Sequence, residues 1–400
     1  MPEPTGPRYE IFAPTAPGLE SIAAGELKSL GIRARQETGG VAFGGDLGRV
    51  YQANLWLRTA SRVVVRLGHF HASTFHELER RAKKLPWAEF LPAKSAVRLR
   101  VTCRKSKLYH SDAVAERVLS AIAGSVSGPI EAEAVEPDDD TSETESKTSQ
   151  LFVVRIVDDQ CEISADSSGE LLHRRGYRKE IAKAPLRETI AAAIVLASGW
   201  KRGDALLDPM CGSGTIPVEA LMLARKIAPG LRRNFQFMGW PGFDGGSWNG
   251  LLEKARAEII DFHGEVLGSD RDEGAIEAAT RNAERAGVAD NMRFFPGALS
   301  GSIEAAGDPA NGTGWILTNP PYGVRVGESS DLRNLYAKLG SMLRAKEGWR
   351  LGVLTSDLDL VRQTKLPLRP RFSTSNGGIP VTFFASERVA TAASDRDGLA

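Results

Sequence analysis

The sequence predicts an α/β chain. Its second half reads as a Rossmann-like, mostly parallel seven-stranded sheet with a carboxy-terminal antiparallel hairpin, preceded by two smaller α+β modules. Three observations predict this. From Pro185 onward, short apolar strands alternate with helical segments, the order that builds a doubly wound parallel sheet. Near the end, Asn376-Gly377-Gly378 stands between two strand patterns, a hairpin signal. Before Pro185, strand and helix signals also alternate, but an acidic tract interrupts them.

The elements follow in order. Tyr9–Ala13 is a short strand, and Leu19–Leu30 has helical spacing with Gly31 as its stop. Val41–Phe43 lies between two glycine pairs as a second strand, and Asp46 is a suitable N-cap for a helix to Leu57. The second module brings strands at 62–67 and 96–103 and helices at 74–85 and 111–123. Two strands, 151–157 and 161–164, flank the turn Asp158-Asp159. Residues 131–150 are acidic, rich in Ser and Thr and nearly free of large apolar side chains, so a mobile loop is expected, disordered over about 134–150. In the second half, a helix over 186–199 leads to a strand at 205–208, a glycine loop and a helix over 215–224. Later strands fall at 265–270, 292–295, 315–318 and 350–354, and the hairpin strands at 372–374 and 381–384. The expected domains are 1–57, 58–166, a linker at 167–184, 185–390 and a tail at 391–400.

Composition narrows the function classes. The 400 residues suit two to three domains of about 150 residues. The start lacks the basic-then-apolar pattern of a signal peptide, and no apolar run approaches bilayer length, which points to a cytoplasmic protein with no membrane partner. Three cysteines, no CxxC pair and only 6 His argue against a structural metal site and suit a reducing compartment. Charge is balanced, with 51 basic against 50 acidic residues, so any nucleic-acid affinity must come from local clustering.

Asp208-Pro209-Met210-Cys211-Gly212-Ser213-Gly214-Thr215 reads as strand end, glycine turn and helix start. A dinucleotide site asks for a third glycine where Pro217 stands, and a phosphate-binding loop asks for a lysine that is missing. Asp208 instead suits a cationic, polar ligand such as a methionine moiety. A plain strand–helix turn is the alternative reading. Asp270, in Gly268-Ser269-Asp270-Arg271, either accepts ribose hydroxyls or caps the next helix. The long stretch between these two motifs, 226–248, is an insertion rich in Arg, Phe, Trp and Gly.

A buried strand runs straight into Asn319-Pro320-Pro321-Tyr322. This suits chemistry on an exocyclic base amine, whose lone pair is drawn into the ring. Acceptors from the Asn319 side chain and the Pro320 carbonyl would favour pyramidalisation of that nitrogen. The two prolines aim the carbonyl, and Tyr322 offers a stacking face. Carbon-5 pyrimidine methylation needs a cysteine nucleophile here, and none is present; Cys211 reads as a small packing residue. A rigid loop closing a strand is the plainer alternative.

Candidate RNA contacts cluster in three places. Arg174, Arg175, Tyr177 and Arg178 join the two halves; Arg104, Lys105 and Lys107 precede Tyr109 and His110; Arg232 and Arg233 lie in the insertion with Phe235, Phe237 and Trp240. Each set could equally be a solvated face or, for the aromatics, packing.

Taken together, HRRGYR, APLRETIAAAIV, LLDPMCGSGT, APGLRR, GSDRD and TNPPYG resemble the THUMP-containing guanine-N2 RNA methyltransferases, most closely the bacterial 23S rRNA branch, with a tRNA branch as near relative. The resemblance covers most of the chain. It implies a class I methyltransferase fold behind a ferredoxin-like domain and a THUMP domain. It implies S-adenosylmethionine bound by Leu186, Glu188, Thr189, Asp208, Pro209, Cys211, Gly212, Ser213, Gly214, Thr215, Asp270, Arg271 and Asn319. It places catalysis at Asn319–Tyr322. The expected substrate is RNA, rRNA before tRNA, and the expected state a monomer. Two other readings stand beside it: a DNA or RNA adenine-N6 methyltransferase, and a non-catalytic RNA-binding protein. One departure is the stretch Phe295–Leu299, which carries no acidic residue where many class I enzymes hold the adenine amino group.

Overall fold

The computed structural model describes residues 7–92, 96–126, 131–134, 149–179, 186–321 and 329–387. The chain forms two compact units: residues 1–176 with 227–259, and residues 177–226 with 260–400.

The first unit is built on an eight-stranded sheet in the order Ala34–Glu37, Gly40–Gly45, Tyr9–Pro14, Val64–His71, Gln160–Asp166, Gln150–Val157, Ala96–Arg104 and Glu131–Ala134. The two amino-terminal modules therefore share one sheet. They join where Ile11 stands opposite Val65 in an antiparallel pair. Helix starts follow local chemistry: the Asp46 side chain accepts from the Arg49 N–H and Thr74 from Glu77, satisfying first-turn donors. Val157 pairs with Gln160 across Asp158 and Asp159, both at positive φ as a two-residue primed turn requires. Two features escape the sequence pattern. Ala34–Glu37 is a polar edge strand with no apolar alternation to announce it. Residues 131–134, expected within the mobile loop, extend the sheet parallel to Ala96–Leu99, and Gln150, expected at its other end, begins the strand Gln150–Val157; residues 135–148 lie outside the described residues, as does the expected tail.

The insertion read from sequence at 226–248 lies almost wholly within residues 227–259, which pack into the first unit. Phe237 and Trp248 lie 4.6 and 6.0 Å, centroid to centroid, from the ring of Tyr51, and the Tyr51 hydroxyl accepts from the Asp244 N–H at 3.0 Å. The Trp240 indole N–H donates to Gln150 Oε1 at 2.7 Å. Four buried aromatics (Phe235, Phe237, Trp240 and Trp248) thus belong to this core. Each contributes roughly 1.5–3 kcal/mol of burial energy. Gly230 approaches so closely that a Cβ would lie 2.8 Å from the Asn54 carbonyl oxygen.

In the second unit the strands are β1 (Ala205–Asp208), β2 (Val266–Asp270), β3 (Met292–Pro296), β4 (Gly314–Thr318), β5 (Trp349–Thr355), β6 (Leu368–Asn376) and β7 (Ile379–Ser386). Their order is β3-β2-β1-β4-β5-β7-β6. The first five are parallel, and the last two form the expected antiparallel hairpin, closed by Gly377 and Gly378 at φ 58° and 81°. This is the Rossmann-like class I methyltransferase arrangement. Leu207, Leu267, Ile316 and Leu351 fill one face of its centre. The order reverses between β1 and β4, the switch point beyond which such sheets bind ligands.

Candidate cofactor and substrate site

Asp208, Asp270 and Asn319 lie at or just past the carboxyl ends of three neighbouring strands, β1, β2 and β4. The loop after β1 is held almost atom by atom. The Met210 N–H donates to Asp208 Oδ1 at 3.2 Å and the Gly212 N–H to Asp270 Oδ2 at 2.9 Å. The Cys211 N–H reaches the Ser269 carbonyl and the Gly214 N–H the Cys211 carbonyl, both at 2.9 Å. Gly214 sits at φ 81°, and a Cβ there would meet Phe294 Cζ at 2.9 Å and Ala279 Cβ at 3.0 Å. Glycine is therefore required for both conformation and packing. The helix Thr215–Ala224 begins with no side-chain cap. Its first N–H groups have no acceptor within the helix, and Pro217 has no N–H to leave over. The arrangement is more than a strand–helix turn: it presents donors and a buried acid to one place.

Asp208 is buried, and burial pushes its carboxyl up to about 7; the Thr318 hydroxyl and the Met210 N–H pull the other way, and the nearby Asp270 charge adds to the rise. Asp270 does not cap the following helix. That task falls to Asp272, which accepts from the Gly274 and Ala275 N–H groups at 2.9 and 3.4 Å. Asp270 accepts from the Asp272 N–H at 3.1 Å through Oδ1, and each of its oxygens keeps a lone pair. Cys211 is buried, and burial pushes its thiol far up, as a packing residue requires. Pro209, Ser213 and Thr215 are also buried, and Arg271 is exposed.

Beyond β4, the Asn319 Oδ1 atom is buried and has no hydrogen-bond partner among the described residues. Pro320 is buried and Pro321 exposed. Tyr322 lies outside the described residues. An acceptor withdrawn from water and left unsatisfied costs about 1–3 kcal/mol. Such an atom next to a ligand-binding strand end is fitted to receive a donor.

The expected cofactor residues Leu186, Glu188 and Thr189 are all buried. Glu188 forms an ion pair with Arg178 at 3.1 Å, and Arg178 also donates to the Leu186 carbonyl at 2.5 Å. This corrects the expectation for the linker. Arg178 organises the turn before the helix Glu188–Ser198. Tyr177, also expected to face RNA, is buried with its hydroxyl on Glu219 at 3.0 Å. Arg175 is buried and donates to the Leu172 and Arg58 carbonyls. Arg233 is half-buried and turns its guanidinium onto the Leu171 and Glu170 carbonyls at 2.8 and 2.7 Å, and burial pushes its pKa down to about 10. These four side chains have internal partners. Arg104, Lys105, Lys107 and Arg232 are exposed, as is Tyr109, whose ring lies 4.0 Å from that of His110; Arg174 is half-buried.

The sequence reading missed Asn282 and Arg285. Asn282 is fully buried on the helix Glu273–Ala286 and donates to the Ser213 carbonyl at 3.1 Å. The one available signal was an amide on the apolar face of an amphipathic helix.

Residues 175–382 match the RMKL-like methyltransferase domain, and residues 10–64 the RlmL ferredoxin-like domain. The chain belongs to the RMKL-like methyltransferase family. It is 36% identical over 380 residues to "Ribosomal RNA large subunit methyltransferase K/L" of Syntrophotalea carbinolica, covering 92% of this chain and 52% of that protein. It thus spans about half that relative's length. It is 34% identical over 381 residues to "Putative RNA methyltransferase slr0064" of Synechocystis sp., covering 94% of this chain and 96% of that one. The crystal structure of SMU.472, solved with SAH, superposes with a TM-score of 0.83 at 28% identity, over 96% of this chain and 100% of that one. Among the described residues no helix is long and apolar enough to cross a membrane, and no group of three or more His, Cys, Asp or Glu could hold a metal ion.

Proposed function

We propose that this chain transfers a methyl group from S-adenosylmethionine to the exocyclic N2 amine of a guanosine in RNA, with large-subunit rRNA as the substrate. The observation that carries the reading is the buried Asn319 Oδ1 beyond β4, which has no hydrogen-bond partner among the described residues, beside the strand whose glycine loop is preformed. The residues fit the cofactor. The uncapped helix start at Thr215 offers donors to a carboxylate, Asp208 offers a buried acid to a cation, and Asp270 retains lone pairs for ribose hydroxyls. When bound, the cofactor supplies an electrophilic methyl on a sulfonium.

The chain's own part is alignment and charge placement. Asn319 Oδ1 and the Pro320 carbonyl accept from the two amine hydrogens, which draws the nitrogen lone pair out of conjugation with the ring. That geometry exists only as the nitrogen pyramidalises, so it favours the transition state over the bound base. Pro320 and Pro321 hold the carbonyl's direction at little entropy cost. Tyr322 is assigned the stacking face. Residues 58–166 would serve as the RNA-binding THUMP domain, with Arg104, Lys105 and Lys107 on phosphates and Arg174 and Arg232 at the margins. The protein would act in the cytoplasm, where its RNA is. In support stand the family, the rRNA methyltransferase name of one relative and the SAH in a structural neighbour.

The test is methyl transfer from labelled S-adenosylmethionine to unmodified 23S rRNA, bulk tRNA and duplex DNA, with nucleoside mass spectrometry of the products. N2-methylguanosine in rRNA is expected. The same nucleoside in tRNA alone would replace the substrate, and N6-methyladenine would overturn the base assignment.

A further inference from the structure

Resting on the methyltransferase reading, we infer that Asn282 and Arg285 are positioning residues for the cofactor loop, anchored on the carbonyl of Tyr177. The geometry is a chain of three hydrogen bonds. Asn282 Nδ2 donates to the Ser213 carbonyl at 3.1 Å, Arg285 Nη2 donates to Asn282 Oδ1 at 2.5 Å, and Arg285 Nε donates to the Tyr177 carbonyl at 2.8 Å. Arginine can only donate, so the Asn282 atom facing it must be the oxygen, and the amide nitrogen must face Ser213. The Ser213–Gly214 peptide is thereby held at both ends: its oxygen by Asn282, its N–H by the Cys211 carbonyl at 2.9 Å. Fixing that peptide fixes the direction of the donors on either side of it, at Ser213 and Thr215. These donors border the site assigned to the cofactor.

The anchor is not arbitrary. Tyr177 is the first residue of the second unit, and its hydroxyl donates to Glu219 on the helix that starts at the glycine loop. Its neighbour Arg178 is paired with Glu188. One short segment thus reaches the loop through Arg285 and Asn282, the helix after the loop through Glu219, and the Leu186–Thr189 turn through Arg178. No atom of Asn282 or Arg285 needs to touch the ligand for this to act. Their effect is on the orientation of groups that do.

Asn282→Asp separates positioning from packing. It is nearly isosteric and still accepts from Arg285, but it sets a carboxylate oxygen against the Ser213 carbonyl. Loss of one positioning hydrogen bond at a buried site is worth about tenfold in affinity. The Kd for S-adenosylmethionine by calorimetry should rise by about that factor, with the KM for RNA within roughly twofold of wild type. Arg285→Gln, at a half-buried position, should give a smaller rise, and Arg285→Lys, which restores a charged donor, should recover part of it. Cofactor affinity at the wild-type value in both Asn282→Asp and Arg285→Gln would overturn the inference, as would an equal loss for RNA and cofactor. If Asn282→Asp does not fold, Arg285→Gln and Arg285→Lys decide the matter alone. Wild-type protein that binds no cofactor would instead sink the methyltransferase reading.

Discussion

The Asp270 carboxylate accepts the Gly212 N–H at 2.9 Å, so the end of the second strand of the methyltransferase sheet fastens the loop that leaves the first. The residue thus has a structural duty apart from any ligand contact. Asp270→Asn keeps an acceptor for Gly212 and loses the charge; Asp270→Ala loses both. If Asp270 also holds ribose hydroxyls, Asp270→Asn should weaken cofactor binding by about tenfold and Asp270→Ala by more. Calorimetry on the two variants separates the duties, and native affinity in Asp270→Asn would confine the residue to loop support.

Asp208 gives a pH signature. Its carboxyl titrates near 7 in the folded protein against 3.8 for an ordinary aspartate. Below the ordinary value both states carry the proton, so nothing is gained or lost. Between about pH 4 and 7 the unfolded chain ionises first, and the free protein loses up to roughly 4 kcal/mol of stability by pH 7. Asp208→Asn should remove that slope and raise the melting temperature at pH 8, while weakening the cofactor. A cationic ligand favours the ionised form, so wild-type cofactor affinity should rise with pH up to about 7 and then level off, with proton release visible by calorimetry in buffers of different ionisation enthalpy. A flat profile would exclude ionisation of Asp208 on binding.

Asn319→Ala removes the acceptor while leaving the cofactor loop untouched. Turnover should fall by about a hundredfold or more, by analogy with loss of one preorganised polar group in other transition states. Cofactor Kd should stay within about twofold if the side chain serves the base amine alone, and a larger rise would show the cofactor contact that the family resemblance implies for Asn319. Single-turnover kinetics with saturating RNA checks this, and unchanged turnover would remove Asn319 from the chemistry.

The first unit holds a buried ion pair, Arg62 to Asp166 at 2.5 Å. Asp166 also accepts from the Ser168 and Gly169 N–H groups. Asp166→Ala leaves a buried guanidinium without its counter-charge and should cost about 3–5 kcal/mol of unfolding free energy, read from denaturant melts. A loss under about 1 kcal/mol would mean that water enters the site.

The second half was legible because each step there is local. Leu206-Leu207-Asp208, the glycine pair and Asn376-Gly377-Gly378 are short patterns whose geometry the backbone alone dictates, and strand and turn appear where those patterns sit. The first unit was less legible for the opposite reason. Ala34–Glu37 is a strand because Gly40–Gly45 pairs with it, not because of its own side chains. The linker was misread at Arg175, Tyr177 and Arg178 because a cluster of arginines looks the same in sequence whether it meets phosphate or carbonyl oxygens. The partners that decide it, Glu188, Glu219 and Arg58, lie between 10 and 117 positions away. Asn282 was invisible for the same reason.

The excursion of residues 227–259 has a consequence for how the protein is made. The aromatic cluster around Tyr51 takes in Phe237, Phe243 and Trp248, which leave the ribosome nearly two hundred residues after Tyr51 does. The first unit is therefore incomplete until a segment threaded out of the second has been synthesised. No single cut separates the two: a fragment ending at Gly176 would leave the apolar surface around Tyr51 exposed to solvent and prone to aggregation.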